Sequence, residues 1–95
     1  MKLVNPAIAG TMESGDIMIE IRESEQTGIH VDLESTVMNQ YGNQIKKVIE
    51  ETAKECGLEN VEIIAKDKGS LDCTIRARVT TAAMRGAGQT EFEWK

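Results

Sequence analysis

Aromatic side chains are nearly missing from this chain: Tyr41, Phe92 and Trp94 are the whole complement among 95 residues. Aliphatic side chains must therefore fill the interior. A chain of this length buries only roughly 60–68% of the surface its unfolded form exposes, so the core is modest and a two-domain enzyme is excluded. Cysteine is scarce too. Cys56 and Cys73 lie 17 residues apart with no Cys-x-x-Cys spacing, which favours two reduced thiols packed as small core hydrophobes over a disulfide. The single histidine, His30, sits among alternating residues and reads as a strand side chain, so no metal site is expected. Basic residues are the minority, 11 against 16 acidic, for a formal net charge of −5. The Lys46-Lys47 pair is embedded among acids, and phosphate neutralisation needs a basic face, so nucleic acid and anionic membrane surfaces are excluded as partners. Long apolar runs are absent as well. Ile17-Met18-Ile19 and Ile63-Ile64-Ala65 are the densest, far short of a signal peptide or a membrane span. A soluble cytoplasmic protein is expected.

What is present is a patterned chain of ordinary globular composition, 40% hydrophobic and 28% charged. Ala7-Ile8-Ala9, between Pro6 and Gly10, fits a short edge strand. Glu13-Ser14-Gly15-Asp16 reads as a turn, because glycine tolerates positive φ and aspartate bonds its own backbone. Ile17, Ile19 and Ile21 alternate with Glu20 and Arg22, a strand with Met18 as the apolar exception on its outer face. Ser24 to Gly28 suits a hairpin loop. Ile29, Val31 and Leu33 alternate with His30, Asp32 and Glu34, the cleanest strand pattern in the chain.

Ser35 or Thr36 is placed to cap a following helix. Val37, Tyr41, Ile45, Val48, Ile49, Thr52 and Cys56 recur at helical spacing, and Gly57 is a C-terminal stop, so the spacing predicts a helix over Thr36 to Cys56. Asn60 to Lys66 is read as a fourth strand. The segment after it supports two readings. Leu71, Cys73, Ile75, Ala77 and Val79 alternate with polar residues, and Asp67-Lys68-Gly69-Ser70 would close a hairpin. Leu71, Ile75, Val79, Ala82 and Ala83 also share one helical face, with Ser70 as an N-cap and Asp72 complementing the helix dipole. The helix is the preferred reading, and a strand over residues 71–79 the alternative. The predicted architecture is α+β: a single domain over residues 1–95, with a small, largely antiparallel sheet of three or four strands and two helices on one face. Residues 88–95 are read as a loose tail.

A catalytic set is hard to assemble from these residues. Nucleophile elbow, phosphate-binding glycine loop and a histidine near a serine or cysteine are all missing. Glu13 and Asp16 flank Ser14, and two carboxylates can do acid–base work. On an exposed turn, however, neither has the burial that shifts a pKa. A serine hydroxyl without an adjacent base is a weak nucleophile. Between Glu13 and Gly15, though, Ser14 is well placed as a substrate for another protein's active site.

The stretch from Asn5 to Ile19, which contains Ala9-Gly10-Thr11-Met12-Glu13-Ser14-Gly15-Asp16, closely resembles the N-terminus of the acyl carrier (gamma) subunit of citrate lyase. Asp67 to Val79 looks like that family's second signature stretch, and Ser35 to Cys56 is similar to its middle segment. The resemblance covers nearly the whole chain and departs most in the tail that holds Phe92 and Trp94. It implies that Ser14 carries, through a phosphodiester, the prosthetic group 2'-(5''-phosphoribosyl)-3'-dephospho-CoA, whose thiol holds acetyl and citryl thioesters. It further implies that the alpha subunit exchanges acetyl for citryl and the beta subunit releases oxaloacetate. A dedicated transferase installs the group, so carrier made without that transferase lacks it. The resemblance also favours the helical reading after Ser70. On this view the chain is a non-catalytic phosphoprotein of citrate fermentation, and its acidic surface steers it toward basic patches on its partners.

Three other readings stand beside it. The carrier of malonate decarboxylase uses similar prosthetic chemistry. Gly69-Ser70-Leu71-Asp72 faintly matches the serine motif of four-helix acyl carriers, although the alternating strands contradict an all-helical bundle. Finally, the chain fits a non-catalytic interaction module with an unmodified Ser14, binding through a sheet edge or the Phe92–Trp94 tail.

Overall fold

The computed structural model describes residues 3–88. Four strands and two helices follow in the order β1 (Ala7–Ala9), β2 (Ile17–Glu23), β3 (Ile29–Ser35), α1 (Met38–Glu55), β4 (Val61–Asp67) and α2 (Asp72–Gly86). The strands form one mixed sheet in the order β1-β2-β4-β3. β1 pairs antiparallel with β2, β2 antiparallel with β4, and β4 parallel with β3. The fold is α+β.

Period-two alternation places Ile17, Ile19 and Ile21 of β2 and Val61, Ile63 and Ala65 of β4 on one face, where all are buried. The helices cover that face: α2 lies over β1 and β2, α1 over β3, and the two pack against each other. From α1 come Ile45, Val48, Ile49 and Ala53, and from α2 Ile75, Val79, Ala82 and Ala83. Each fully buried isoleucine contributes roughly 1.5–3 kcal/mol relative to exposure, and the buried hydrophobic set is aliphatic throughout among the described residues. Arg76 of α2 ties the helices together at their surface, 3.3 Å from Glu55 and 3.7 Å from Glu51.

Several expectations need correction. Ser24–Gly28 does not close a hairpin, because β4 inserts between β2 and β3 and pairs with both. Parallel pairing of β3 with β4 requires a long crossover, and α1 supplies it. Residues 72–79 are helical and no strand forms there. Neither helix uses the expected cap. Val37 and Leu71 hold the N-cap positions with no side-chain cap bond; the nearby Ser35 and Ser70 both donate to Asp67, and Ser35 Oγ accepts the Val37 N–H at 3.1 Å. Tyr41 lies on the exposed side of α1, 54% accessible. Cys56 and Cys73 are both free thiols; Cys56 is half-buried and packed against the core, whereas Cys73 is exposed and no core residue. Burial pushes the Cys56 thiol up. His30 is exposed on β3, 3.1 Å from the Thr27 carbonyl. The tail expected to be loose lies, past Gly88, outside the described residues.

Candidate functional site

The link from β1 to β2 turns on two glycines. Gly10 has φ 96°, and a Cβ there would fall 1.8 Å from the Ile17 carbonyl oxygen, so this close approach admits glycine alone. At the far end the Asp16 N–H donates to the Glu13 carbonyl at 3.1 Å. That bond closes a four-residue turn with Ser14 and Gly15 at its centre. Gly15 takes φ 82°, the value a type II turn requires at its third position.

Asp16 is the anchor of this turn. Its Oδ1 accepts the Ile17 N–H at 2.8 Å, and its Oδ2 accepts the Thr11 N–H at 3.1 Å and the Thr11 hydroxyl at 2.7 Å. From α2, 62 residues away in sequence, Arg78 adds a two-pronged contact: Nε to Oδ1 at 3.1 Å and a terminal nitrogen to Oδ2 at 3.0 Å. The Arg78 bond, seconded by Thr11 and Ile17 against a desolvation penalty, lowers the Asp16 pKa to about 2. Asp16 therefore stays ionised and acts as a clamp, not as the acid or base of a carboxylate pair. The shift that the exposure of the turn argued against does occur, but an arginine causes it. Backbone bonds to the end of β4 finish the clamp: the Gly15 N–H donates to the Lys68 carbonyl at 2.7 Å, and the Lys68 N–H to the Asp16 carbonyl at 2.9 Å.

Ser14 sits exposed at the tip of this fixed loop. Side-chain hydrogen bonds in the turn belong to Thr11 and Asp16, and the Ser14 hydroxyl has no partner among the described residues. A Cβ built on the adjacent Gly15 meets nothing within 4 Å, so the surrounding space is open. Ser70, the other candidate serine, is differently placed. Half-buried, it gives its hydroxyl to Asp67 Oδ1. Asp67, 1% exposed, also accepts the Ser70 N–H at 3.0 Å, the Gly69 N–H at 3.0 Å and the Ser35 hydroxyl at 2.8 Å. Burial raises the Asp67 pKa, but the hydrogen bonds from Ser70, Ser35 and Gly69 outweigh it and the net shift is downward. Ser70 is bound into the scaffold.

Sequence reasoning found the turn and its serine but missed Arg78, Thr11 and Lys68 as the parts that hold it. Thr11 was visible as a neighbour of the turn. Nothing local marks Arg78, since only the helical reading of its segment aims it back at the sheet.

Comparison with known proteins now separates the candidate families. The carrier family described as malonate decarboxylase delta subunit matches residues 4–86. Citrate lyase acyl carrier protein from Escherichia fergusonii is 46% identical over 94 residues, covering 99% of this chain and 97% of that one. Its counterpart from Streptococcus mutans is 48% identical over 95 residues, covering 100% and 93%. This chain belongs to the citrate lyase acyl carrier protein family. It is accordingly a carrier protein. The same fold occurs in the crystal structure of a Pseudomonas malonate decarboxylase hetero-tetramer in complex with malonate, with a TM-score of 0.70 at 15% identity over 85% of this chain and 82% of that one. A homoserine kinase from Cytophaga hutchinsonii shares it at a TM-score of 0.59 and 14% identity, over 92% of this chain but 35% of that one. At such identities the likeness of this chain to both structures concerns fold alone. None of the described helices is long and apolar enough to cross a membrane.

Proposed function

We propose that this chain is the acyl carrier subunit of citrate lyase, holding phosphoribosyl-dephospho-CoA as a phosphodiester on Ser14. One observation carries the reading: an exposed serine hydroxyl without a partner among the described residues, at the tip of a turn that Asp16 and Arg78 hold rigid. The group supplies a terminal thiol that holds acetyl and citryl thioesters while citrate is cleaved to acetate and oxaloacetate. The chain's own part is mechanical. Ser14 supplies the bridging oxygen: as its bond to phosphorus forms on the transferase, the activated donor's bond to its leaving group breaks and the hydroxyl proton passes to a base of that enzyme or to solvent. Gly15 keeps the approach uncrowded, and Asp16, Thr11, Arg78 and Lys68 keep the tether point in one place relative to the body.

Catalysis falls to the partners, the alpha and beta subunits and the transferase that loads the arm, in the cytoplasm. Tethering raises the effective concentration of the arm at both active sites, to millimolar order for a short flexible link. Positioning alone suffices for such a body, and no acid–base pair is needed at the turn.

Intact-mass measurement after co-expression with the transferase tests this. A covalent adduct on the wild-type chain and none on Ser14→Ala is expected; an adduct retained by Ser14→Ala overturns the assignment. A second reading, a carrier of the malonate decarboxylase type, draws on the description of the matching family. Restoration of activity to a carrier-depleted malonate decarboxylase, and not to citrate lyase, would establish it. Absence of any adduct would favour the interaction module.

A further inference from the structure

Large apolar side chains are exposed at the starts of both helices for no reason that folding supplies. Leu71 is 71% accessible, Tyr41 54% and Met38 46%; Leu71 is the N-cap of α2, and the other two lie in the first turn of α1. Between these helix starts lies a groove of about 570 Å³ lined by Val37, Tyr41, Ile45, Gly69 and Leu71, with Gln44, Ser70 and Asp72 as its polar groups. The Gln44 amide donates to Asp72 at 3.2 Å. Val37 and Leu71 occupy the two N-cap positions, where serine, threonine, aspartate or asparagine would stabilise the helices. Both helices thus begin on an apolar residue, and both of those residues face the same groove.

The groove adjoins the proposed tether. Its wall at Gly69 is one residue from Lys68, which bonds the backbone of both Gly15 and Asp16. Its volume lies in the range of small-molecule sites, roughly 300–1,000 Å³, and its make-up, apolar walls with a few polar groups, is theirs as well. We infer that this groove is the resting site of the arm tethered to Ser14, taking the flexible amide-containing chain that leads to the thiol. The inference rests on Ser14 being the tether. Because a short flexible link holds its cargo at an effective concentration of about millimolar, even a weak groove fills. A resting arm lies folded back until a partner's active site competes for it, and the thioester is shielded from water in transit.

The test uses the full chain loaded by its transferase, with its thiol free. Compared with the unloaded chain, amide NMR shifts should change at Gln44, Gly69 and Leu71 as well as around Ser14. The thiol should react with a disulfide reagent about threefold more slowly than in Leu71→Ser or Tyr41→Ala, once the exposed Cys73 is replaced by serine in every sample. Both groove side chains are exposed, and unchanged amide spectra of the unloaded variants would establish that they fold. Shift changes confined to residues 11–16, or equal thiol rates throughout, overturn the groove while leaving the tether standing. Groove shifts that appear only when a partner subunit is added assign it to that subunit and overturn the inference too. An adduct absent from Ser14 overturns the tether itself.

Discussion

Two serines stand beside an aspartate and a glycine at the same end of this molecule, and their fates are opposite. Ser70 has surrendered its hydroxyl to the buried Asp67, which collects four hydrogen bonds from Ser35, Gly69 and Ser70. Ser14 keeps its hydroxyl because Asp16 is already committed to Thr11, Ile17 and Arg78. Proximity to a carboxylate does not decide which serine is available for modification. What the carboxylate is already bonded to decides it. In one case the acid consumes the serine to build the scaffold; in the other it fixes the loop and leaves the serine out.

The contrast can be broken most violently at Asp67. Asp67→Ala strands the Ser35 and Ser70 hydroxyls and two backbone N–H groups near the core, and should cost about 3 kcal/mol in urea unfolding. A loss below about 1 kcal/mol would mean that Asp67 does not organise this end. Gly10→Ala meets a carbonyl oxygen at a φ that disfavours a side chain, and about 2 kcal/mol should go, with Ser14 loading impaired because the loop moves. Unaltered stability and loading would show that the loop can relax freely.

Arg78→Met should cost about 1 kcal/mol, since the ion pair is partly exposed, and should slow loading several-fold while final yield is retained. It also carries a pH signature. A carboxyl whose folded pKa is depressed to about 2 from an ordinary 3.8 contributes fully above about pH 4 and loses that contribution as the pH falls toward 2. The wild type should therefore lose stability across that window more steeply than Arg78→Met; parallel acid titrations of the two proteins would refute the clamp. The smallest effect should come from Ser14→Ala, within about 0.5 kcal/mol of wild type, because the hydroxyl has no partner to lose. Ser70→Ala, by contrast, should cost about 1 kcal/mol and leave loading intact.

Much of this was legible in the sequence. The isoleucine alternation of β2, the Ile29–Glu34 pattern of β3 and the apolar spacing of α1 each report a single face pressed against a core, a local property. The Glu13–Asp16 turn announced itself through its glycine. Strand order was not legible, because nothing in Ser24–Gly28 distinguishes a hairpin loop from a connection that spans a gap for β4. The caps were misread for a related reason. Ser35 and Ser70 are good cappers in isolation, but both fall ahead of the N-cap positions, which Val37 and Leu71 hold, and their hydroxyls donate to a buried aspartate 32 residues from one and three from the other. Arg78 was out of reach for the same reason as the strand order, since its partner lies on a distant loop.

Fragmentation mass spectrometry of the loaded carrier, reading which residue bears the phosphodiester, tests the central claim most directly. The free-hydroxyl account predicts the modification on Ser14 alone, with the peptide containing Ser70 unmodified. A modified Ser70, or an unmodified Ser14 in fully loaded protein, would contradict it.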